Sequence, residues 1–360
     1  MNKPLPVPVG FVRSSPLYTL DQGPARPAHA YIHMRYPMRL EAMALDTSKI
    51  GLQDDGNYSA GQINFKIKLF RDVHIRVGSG NGDIHIDPNA QRPALVRHSA
   101  ELMRTLLGFT DELEISTSAE LELRHCGFGS SSNVIAAVGH AINELYGSPL
   151  DPHQLAAYLA KNHGEEIDSS PDMVSPVQCI GGSALAGLAN GSIFVVAGAH
   201  KIIAEADIPE GYYIVAGVPA DYTFPDAHTL LKKEAKQMSK FIRTGKKYGA
   251  VIAYRLVHEA LPALKDGNIG PIGNLIFDYR FRMGSIRNCS FVYPRMMVLA
   301  RKLEALKHDG RAEILSLSSV GPGFFVVTRD PKYCTEAFEA LNLTTYTLEP
   351  YNGGYQITYE

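Results

Sequence analysis

The run His125-Cys126-Gly127-Phe128-Gly129-Ser130-Ser131-Ser132-Asn133 lies between a strand-like segment, Glu114 to Arg124, and a run with helical spacing, Val134 to Tyr146. A glycine-rich strand-to-helix turn constrains the chain more than any other feature it has. Glycines let backbone pass close to a bound group, and successive amide N–H groups at such a turn converge on an anion. The helix N-terminus adds partial positive charge. Three serine hydroxyls add neutral donors or, at Ser131 and Ser132, ligands for a divalent ion. A Gly/Ser-rich helix start with a serine N-cap explains the same residues without any ligand, so the motif alone leaves both readings open.

Around the loop, strands and helices interleave in both halves, which points to an α+β chain with two layers in each half. Strand alternation marks Met38 to Leu45, Ile63 to Leu69, and a pair, Val73 to Val77 and Asp83 to Asp87, joined by the turn Gly78-Ser79-Gly80-Asn81-Gly82. Helices are expected at Pro93 to Leu107 and at Asp151 to His163, the latter capped by Asp151 with Pro152 at its first position. Ser183 to Leu188 and Ser192 to Ala197 read as a hairpin turned at Asn190-Gly191. A second unit opens with a strand at Tyr213 to Val218. Helices follow across His228 to Lys265 and Pro294 to Leu306, then Glu313 to Thr328, and Ala337 to Glu360 as a helix-turn-strand ending.

The 360 residues are 45% hydrophobic and 20% charged, enough apolar material for two cores of ordinary domain size. The expected organisation is an extended, proline-punctuated arm over residues 1–29, a domain carrying the loop over 30–208, and a second domain over 209–360. The arm is either a solvated tail or a segment packed on a partner subunit. A net charge of −2 without a basic block argues against nucleic acid. No apolar stretch approaches the ~20 residues that span a bilayer, and Met1 to Gly10 lacks an apolar leader, so a cytoplasmic protein is expected. Cys126, Cys179, Cys289 and Cys334 are too scattered for zinc-ligand spacing and read as buried or incidental thiols.

Three segments occur in the order used by the GHMP kinase superfamily and resemble its motifs: Pro37-Met38-Arg39, the Gly127 to Ser132 loop, and Ser318-Ser319-Val320-Gly321-Pro322-Gly323-Phe324. Between them, Pro171-Asp172-Met173-Val174-Ser175-Pro176 with Gly181-Gly182 resembles the Pro-Asp-Asn-Val-Ala-Pro…Gly-Gly stretch of homoserine kinases. The resemblance covers about Tyr36 to Thr328. It implies a two-domain GHMP kinase fold, the first domain ribosomal protein S5 domain 2-like, the second a ferredoxin-like α/β sandwich. No proline precedes the loop, where the superfamily's kinases carry one. His125-x-Gly127-Phe128-Gly129-Ser130 instead resembles the His-Val-Gly-Leu-Gly-Ser loop of the β-ribofuranosylaminobenzene 5′-phosphate synthases. These share the kinase fold yet join phosphoribosyl pyrophosphate to a benzoate ring carbon, releasing pyrophosphate and CO₂. Two departures from that branch, the missing tryptophan at Val320 and Glu41 in place of histidine, leave room for relatives that build C-nucleoside antibiotics of the formycin or pyrazofurin type on a pyrazole dicarboxylate.

The resemblance therefore implies a C-ribosyltransferase using phosphoribosyl pyrophosphate, an aromatic carboxylate and Mg²⁺, assembled as a homodimer. The alternative is an ATP-dependent small-molecule kinase, and a noncatalytic metabolite sensor is a third possibility. Either reaction needs preorganised donors at a diphosphate, for which Gly127, Phe128, Gly129, Ser130, Ser131, Ser132 and Asn133 are the candidates. Lys66 and Lys68 either face that diphosphate or form the wet side of a half-buried strand. The metal would be held by Ser131, Ser132 or Asp172 beside phosphate oxygens. Asp172, then Asp168 and Glu165, are candidate catalytic carboxylates; an N-cap or a surface aspartate is the plainer account of Asp172. His125 either bonds a substrate anion or only orients the strand end. Acceptor carboxylates call for arginine, so Arg39 and the cluster Arg280, Arg282 and Arg287 are candidates, the cluster doubling as a solvated loop. Ser318, Ser319 and Gly321 complete the expected substrate-binding set.

Overall fold

The computed structural model describes residues 5–15, 24–50, 59–80, 82–177 and 179–360. The first unit contains β1 (Val7–Pro8), β2 (Tyr31–Ala44), β3 (Gln62–Val77), β4 (Ile84–Ile86), α1 (Pro93–Leu107), β5 (Leu113–Ala119), α2 (Ser130–Leu145) and α3 (Pro152–Lys161). It continues with β6 (Gly164–Glu166), β7 (Met173–Pro176), α4 (Gly182–Ala186), β8 (Ile193–Ala197) and β9 (Lys201–Ala206). The second unit holds β10 (Tyr213–Pro219), α5 (Ala227–Arg255), α6 (Leu261–Lys265), α7 (Gly270–Phe277), α8 (Ser285–Cys289) and α9 (Met296–His308). It ends with β11 (Ile314–Leu317), β12 (Phe324–Thr328), α10 (Pro331–Glu339), β13 (Leu343–Leu348) and β14 (Gln356–Tyr359).

The main sheet runs β14-β2-β3-β5-β4, with β8 and β9 attached beside β3, and the second unit has its own sheet in the order β11-β12-β10-β13. β14 returns to the edge of β2, so the end of the chain closes the first unit's sheet.

Alternation along the two long strands decides which side chains meet where. Ile32, Met34 and Tyr36 of β2 pack with α1, α2 and α3. Beyond an irregularity in pairing between Pro37 and Met38, the residues Met38, Leu40 and Ala42 join Ile63, Phe65 and Ile67 of β3 in a core shared with Ile214, Phe325 and Val327 of the second sheet. The opposite face of this half of the ribbon therefore carries Arg39, Glu41, Gln62, Asn64 and Lys66. All but Glu41 are buried, a load of polar groups rare in an ordinary core. The second unit is fastened to the same stretch: Arg280 Nε donates to Ala42 O at 2.6 Å, Ser316 Oγ to Ala42 O at 2.7 Å and Ser319 N to Glu41 O at 2.9 Å.

Several expected elements differ. Ser183 to Leu188 is not a strand: Gly182–Ala186 is a helix buried on every side, and a short apolar run carries no period that separates the two. The antiparallel partners of β8 are β3 and β9, and the Asn190 and Gly191 amides instead donate to Glu205 Oε2 at 2.7 and 3.2 Å. The segments expected at Ile63 and Val73 are one strand, β3, and β4 pairs in parallel with β5 rather than with β3. Asn81 of the expected turn lies outside the described residues. β5 stops at Ala119 rather than Arg124, because the next ten residues bend and His125, Gly127 and Gly129 take φ of 54°, 91° and 68°. Residues 1–4 and 16–23 of the arm lie outside the described residues. The described remainder packs on its own domain, β1 pairing with β7 and the Ala25 and Ala28 amides bonding to Leu107 O and Leu145 O.

Candidate active site

Gly129, at φ 68°, caps α2 in the left-handed conformation, so the helix N-terminus opens onto the preceding loop. Beneath it lies a residue the motifs do not name. Arg92, at φ 60° and 1% exposed, starts α1 and aims its guanidinium up at the loop. Its Nη1 donates to Ser130 Oγ at 2.9 Å and its Nη2 to Ser131 Oγ at 2.8 Å. The same guanidinium bonds Glu166 and lies 3.4 Å from Glu122 and 3.7 Å from Glu165. Arg71 Nη2 completes the cluster at 2.5 Å from Glu122 Oε2. Burial alone would raise Glu122, but Arg71 and then Arg92 outweigh it and hold its pKa below the ordinary range. Burial likewise acts against ionised Glu165, yet His163 first, then His125 and Arg92, hold it at about 2. Both serine hydroxyls accept from Arg92 and keep their own O–H to donate upward.

Above this base is a cleft between the two units. Its walls include Arg39, Glu41 and Gln62 from the β2–β3 ribbon, His125, Gly127 and Ser130 to Ser132 from the loop, and Glu165. Glu234 of α5 and the Ser319 to Gly321 turn face them from the second unit. Arg39 is 6% exposed, and its Nε and Nη1 have no hydrogen-bond partner among the described residues. A buried fork of donors left open is costly unless an anion fills it.

Glu234 is half-buried. Lost hydration raises its carboxyl pKa to about 7, and the like charges of Glu41 and Glu165 add to the rise. A carboxyl raised by folding favours the fold while protonated; that contribution is complete below the usual value of 4.5 and lost as pH climbs through about 7. Glu234→Gln should remove this loss. Its thermal midpoint, measured against wild type from about pH 5 to about pH 8, should gain steadily on the parent. A difference that stays flat across the window would show that no carboxyl titrates there.

Of the residues expected from sequence, the structure brings together Arg39, His125, Gly127, Gly129, Ser130, Ser131, Ser132, Arg280, Ser319 and Gly321. Others lie elsewhere. Asp172 is exposed in the turn before β7 and does not line the cleft, and Asp168 is exposed too. Lys66 is buried rather than wet: its Nζ donates to Ala189 O and Gly353 O, both at 2.5 Å, and burial lowers its pKa to about 8. Lys68 pairs with Glu349 at the surface. Phe128 points into the core between the units, and Asn133 is consumed by Arg71 Nε and Pro37 O. Ser318 holds the loop from below, Oγ donating to Gly127 O at 2.6 Å. Of the three clustered arginines only Arg280 reaches the cleft, donating inward to Ala42 O and Ser319 O, while Arg282 pairs outward with Asp278; all three also line a second hollow with Tyr248 and Arg301.

Among the described residues no three His, Cys, Asp or Glu side chains are grouped closely enough to hold a metal unaided. No helix there is long and apolar enough to cross a membrane.

The described residues thus form two α+β units with a left-handed glycine turn at a helix N-terminus facing the cleft between them. Residues 94–176 match the family described as GHMP kinases N terminal domain. Among solved structures, homoserine kinase from Cytophaga hutchinsonii aligns over 92% of this chain and 99% of its own at 15% identity, with a TM-score of 0.59. Lactococcus lactis galactokinase complexed with galactose aligns over 91% and 95% at 10% identity, with a TM-score of 0.62. Mevalonate-3-kinase from Thermoplasma acidophilum with mevalonate bound aligns over 92% and 100% at 14% identity, with a TM-score of 0.59. No curated protein matches the sequence. The chain has the two-domain α+β fold of these solved kinases, and its residues 94–176 are similar to the GHMP kinases N terminal domain.

Proposed function

We propose that this protein is a decarboxylating C-ribosyltransferase that joins phosphoribosyl pyrophosphate to a ring carbon of an aromatic carboxylate. The observation that carries this reading is Arg39: a buried guanidinium with open Nε and Nη1, set beside the Gly129 turn. The loop amides take the donor's diphosphate, and the open N–H groups of Arg39 take a carboxylate of the acceptor. As the ring carbon attacks ribose C1, the bond to pyrophosphate breaks and negative charge grows where the helix N-terminus points. Loss of CO₂ then returns the bonding pair to the ring. Glu165 and Glu41, on the cleft wall, supply negative charge while a cation exists on ribose or ring. Mg²⁺ would take most of its ligands from phosphate and water and needs only one or two carboxylates. Glu165, whose Oε2 accepts no hydrogen bond among the described residues, meets that need, and exposed Asp172 does not.

The solved relatives named above favour a second reading, an ATP-dependent small-molecule kinase with the same loop around the nucleotide's phosphates. Asp172, the first candidate carboxylate in both readings, lies outside the cleft and favours neither.

Thermal stabilisation separates the two, since a ligand bound only by the native state raises the midpoint with its occupancy. With Mg²⁺, phosphoribosyl pyrophosphate at about 100 times its Kd should stabilise by about 2.7 kcal/mol, and ATP should do little. The reverse ranking, or ADP released on turnover with a candidate acceptor, establishes the kinase instead.

A further inference from the structure

Away from the cleft, the second unit carries a basic hollow of about 180 Å³. Separate chain segments build it. The π-helical stretch Asp278–Arg282 brings Arg282, α8 brings Arg287, and α9 brings Met297, Arg301 and Glu304. The α9 residues are spaced i, i+4 and i+7, which sets them on one side of that helix. Asn288 Nδ2 donates to Thr244 Oγ1 of α5 at 2.9 Å, so the backbone that carries Arg287 is anchored. Tyr248 of α5 adds a ring, with Lys247 Nζ 4.9 Å from its centre. Of the residues lining the hollow only Arg280 is shared with the cleft, and its donors go to Ala42 O, Ser285 Oγ and Ser319 O.

Four arginines therefore face a single lining carboxylate, Glu304. Arg282 Nε reaches Asp278 at 3.2 Å, but neither Arg287 nor Arg301 has an ion pair among the described residues. Gathered like charges repel at some cost to the fold, although a chain with 37 acidic residues has carboxylates enough to pair them. Between the cations the walls are apolar. Tyr248, Phe281, Met283 and Met297 are half-buried, and Gly284, at φ 87°, leaves open space where a side chain would stand.

We propose that this hollow is a second ligand site, independent of the reaction in the cleft, which takes a small phosphate monoester carried on a flat apolar body. The lining sets the chemistry. Guanidinium forks match phosphate oxygens with paired N–H groups. A phosphate monoester carries about −1.5 to −2 charge at pH 7 and answers the excess of cations better than one carboxylate does. Tyr248 offers its face to a ring, and the two methionines adapt to the outline. Size limits the body. Pockets for drug-sized ligands begin at about 300 Å³, so this hollow suits one ring with one phosphate rather than a whole nucleotide.

The test titrates the full chain with phenyl phosphate by calorimetry without Mg²⁺, using inorganic phosphate and phenol as the head and the body alone. Wild type should bind phenyl phosphate at least about tenfold more tightly than either fragment. Arg287→Gln and Arg301→Gln should each lose at least about tenfold, the step expected from one charge-assisted hydrogen bond. Both residues are exposed, so the midpoint should stay within about 1 °C of wild type. Lys302→Gln removes an exposed cation next to Arg301 but outside the hollow, and should change the affinity by less than about twofold. Gly129→Val, which disturbs the cleft, should leave phenyl phosphate bound as in wild type. No binding by wild type, inorganic phosphate bound as tightly as phenyl phosphate, equal losses in Lys302→Gln and Arg301→Gln, or a loss confined to Gly129→Val would each overturn the assignment. The outcome does not depend on which phosphates the cleft holds, because the arginine variants leave the loop intact.

Discussion

Replacing Arg92 by methionine is expected to lower stability by at least about 3 kcal/mol, since removing one partner of a buried ion pair strands the others. The group stranded here is Glu166, while Glu122 keeps Arg71 and Glu165 keeps His163; the same guanidinium also supports Ser130 and Ser131. Methionine fills comparable volume, so the loss is electrostatic rather than a cavity effect. In a chain of 360 residues the midpoint should fall by roughly 4 °C. The pH dependence identifies the cause. Glu165, held at about 2 in the folded protein, contributes stability that is present above its unfolded value and lost as pH falls through about 2. The variant lacks only the share that Arg92 adds to those of His163 and His125, so the gap between it and wild type should narrow modestly below about pH 4.5. Arg92→Lys keeps a charge but not the fork, and should fall between the two while still loosening the serines. A midpoint within about 1 °C of wild type for Arg92→Met would show that the carboxylates have other counter-ions.

Arg92 also marks where sequence reading stops. The loop was legible because glycines and serines between a strand and a helix have mechanical meaning wherever they occur. Arg39 was legible because a motif pointed to it. Arg92 has no motif: it is a lone arginine before Pro93, and only the fold brings it within reach of residues 38 positions away. Phe128 and Asn133 show the complementary failure, since a contiguous motif does not say which of its side chains turn inward. Alternation along β3 correctly places Phe65 and Ile67 on one face, yet it leaves Lys66 either at a diphosphate or wet, whereas the turn after α4 and the returning tail cover it. That cover is long-range, and so is the Gly182 backbone that buries Gln62 and Asn64. The interleaving of strands and helices gave the fold class, while strand partners depended on contacts that no local pattern carries.

The second large effect is on ligand affinity. Gly129→Val should reduce binding of the diphosphate donor by at least about 100-fold, the equivalent of two charge-assisted hydrogen bonds. The cause is local. At φ 68° a branched residue is disfavoured by roughly 1–2 kcal/mol, and its Cβ would stand 2.9 Å from Ser183 Oγ and 3.0 Å from Arg39 Cζ. The turn would have to tilt, taking the first amides of α2 off the anion and pushing on the Arg39 fork. The atoms met are side-chain rather than backbone atoms, so the fold should survive with a modest drop in midpoint. Gly127→Ala makes the necessary contrast. Its Cβ would run into the backbone carbonyl of Ser318, at the seam where the second unit is fastened, so stability rather than affinity should suffer most. Calorimetry with phosphoribosyl pyrophosphate, and separately with ATP, on both variants reads the difference. If Gly129→Val keeps wild-type affinity for whichever of the two the parent binds, the diphosphate is held somewhere else, and the helix end at Ser130 is no more than a well-supported turn.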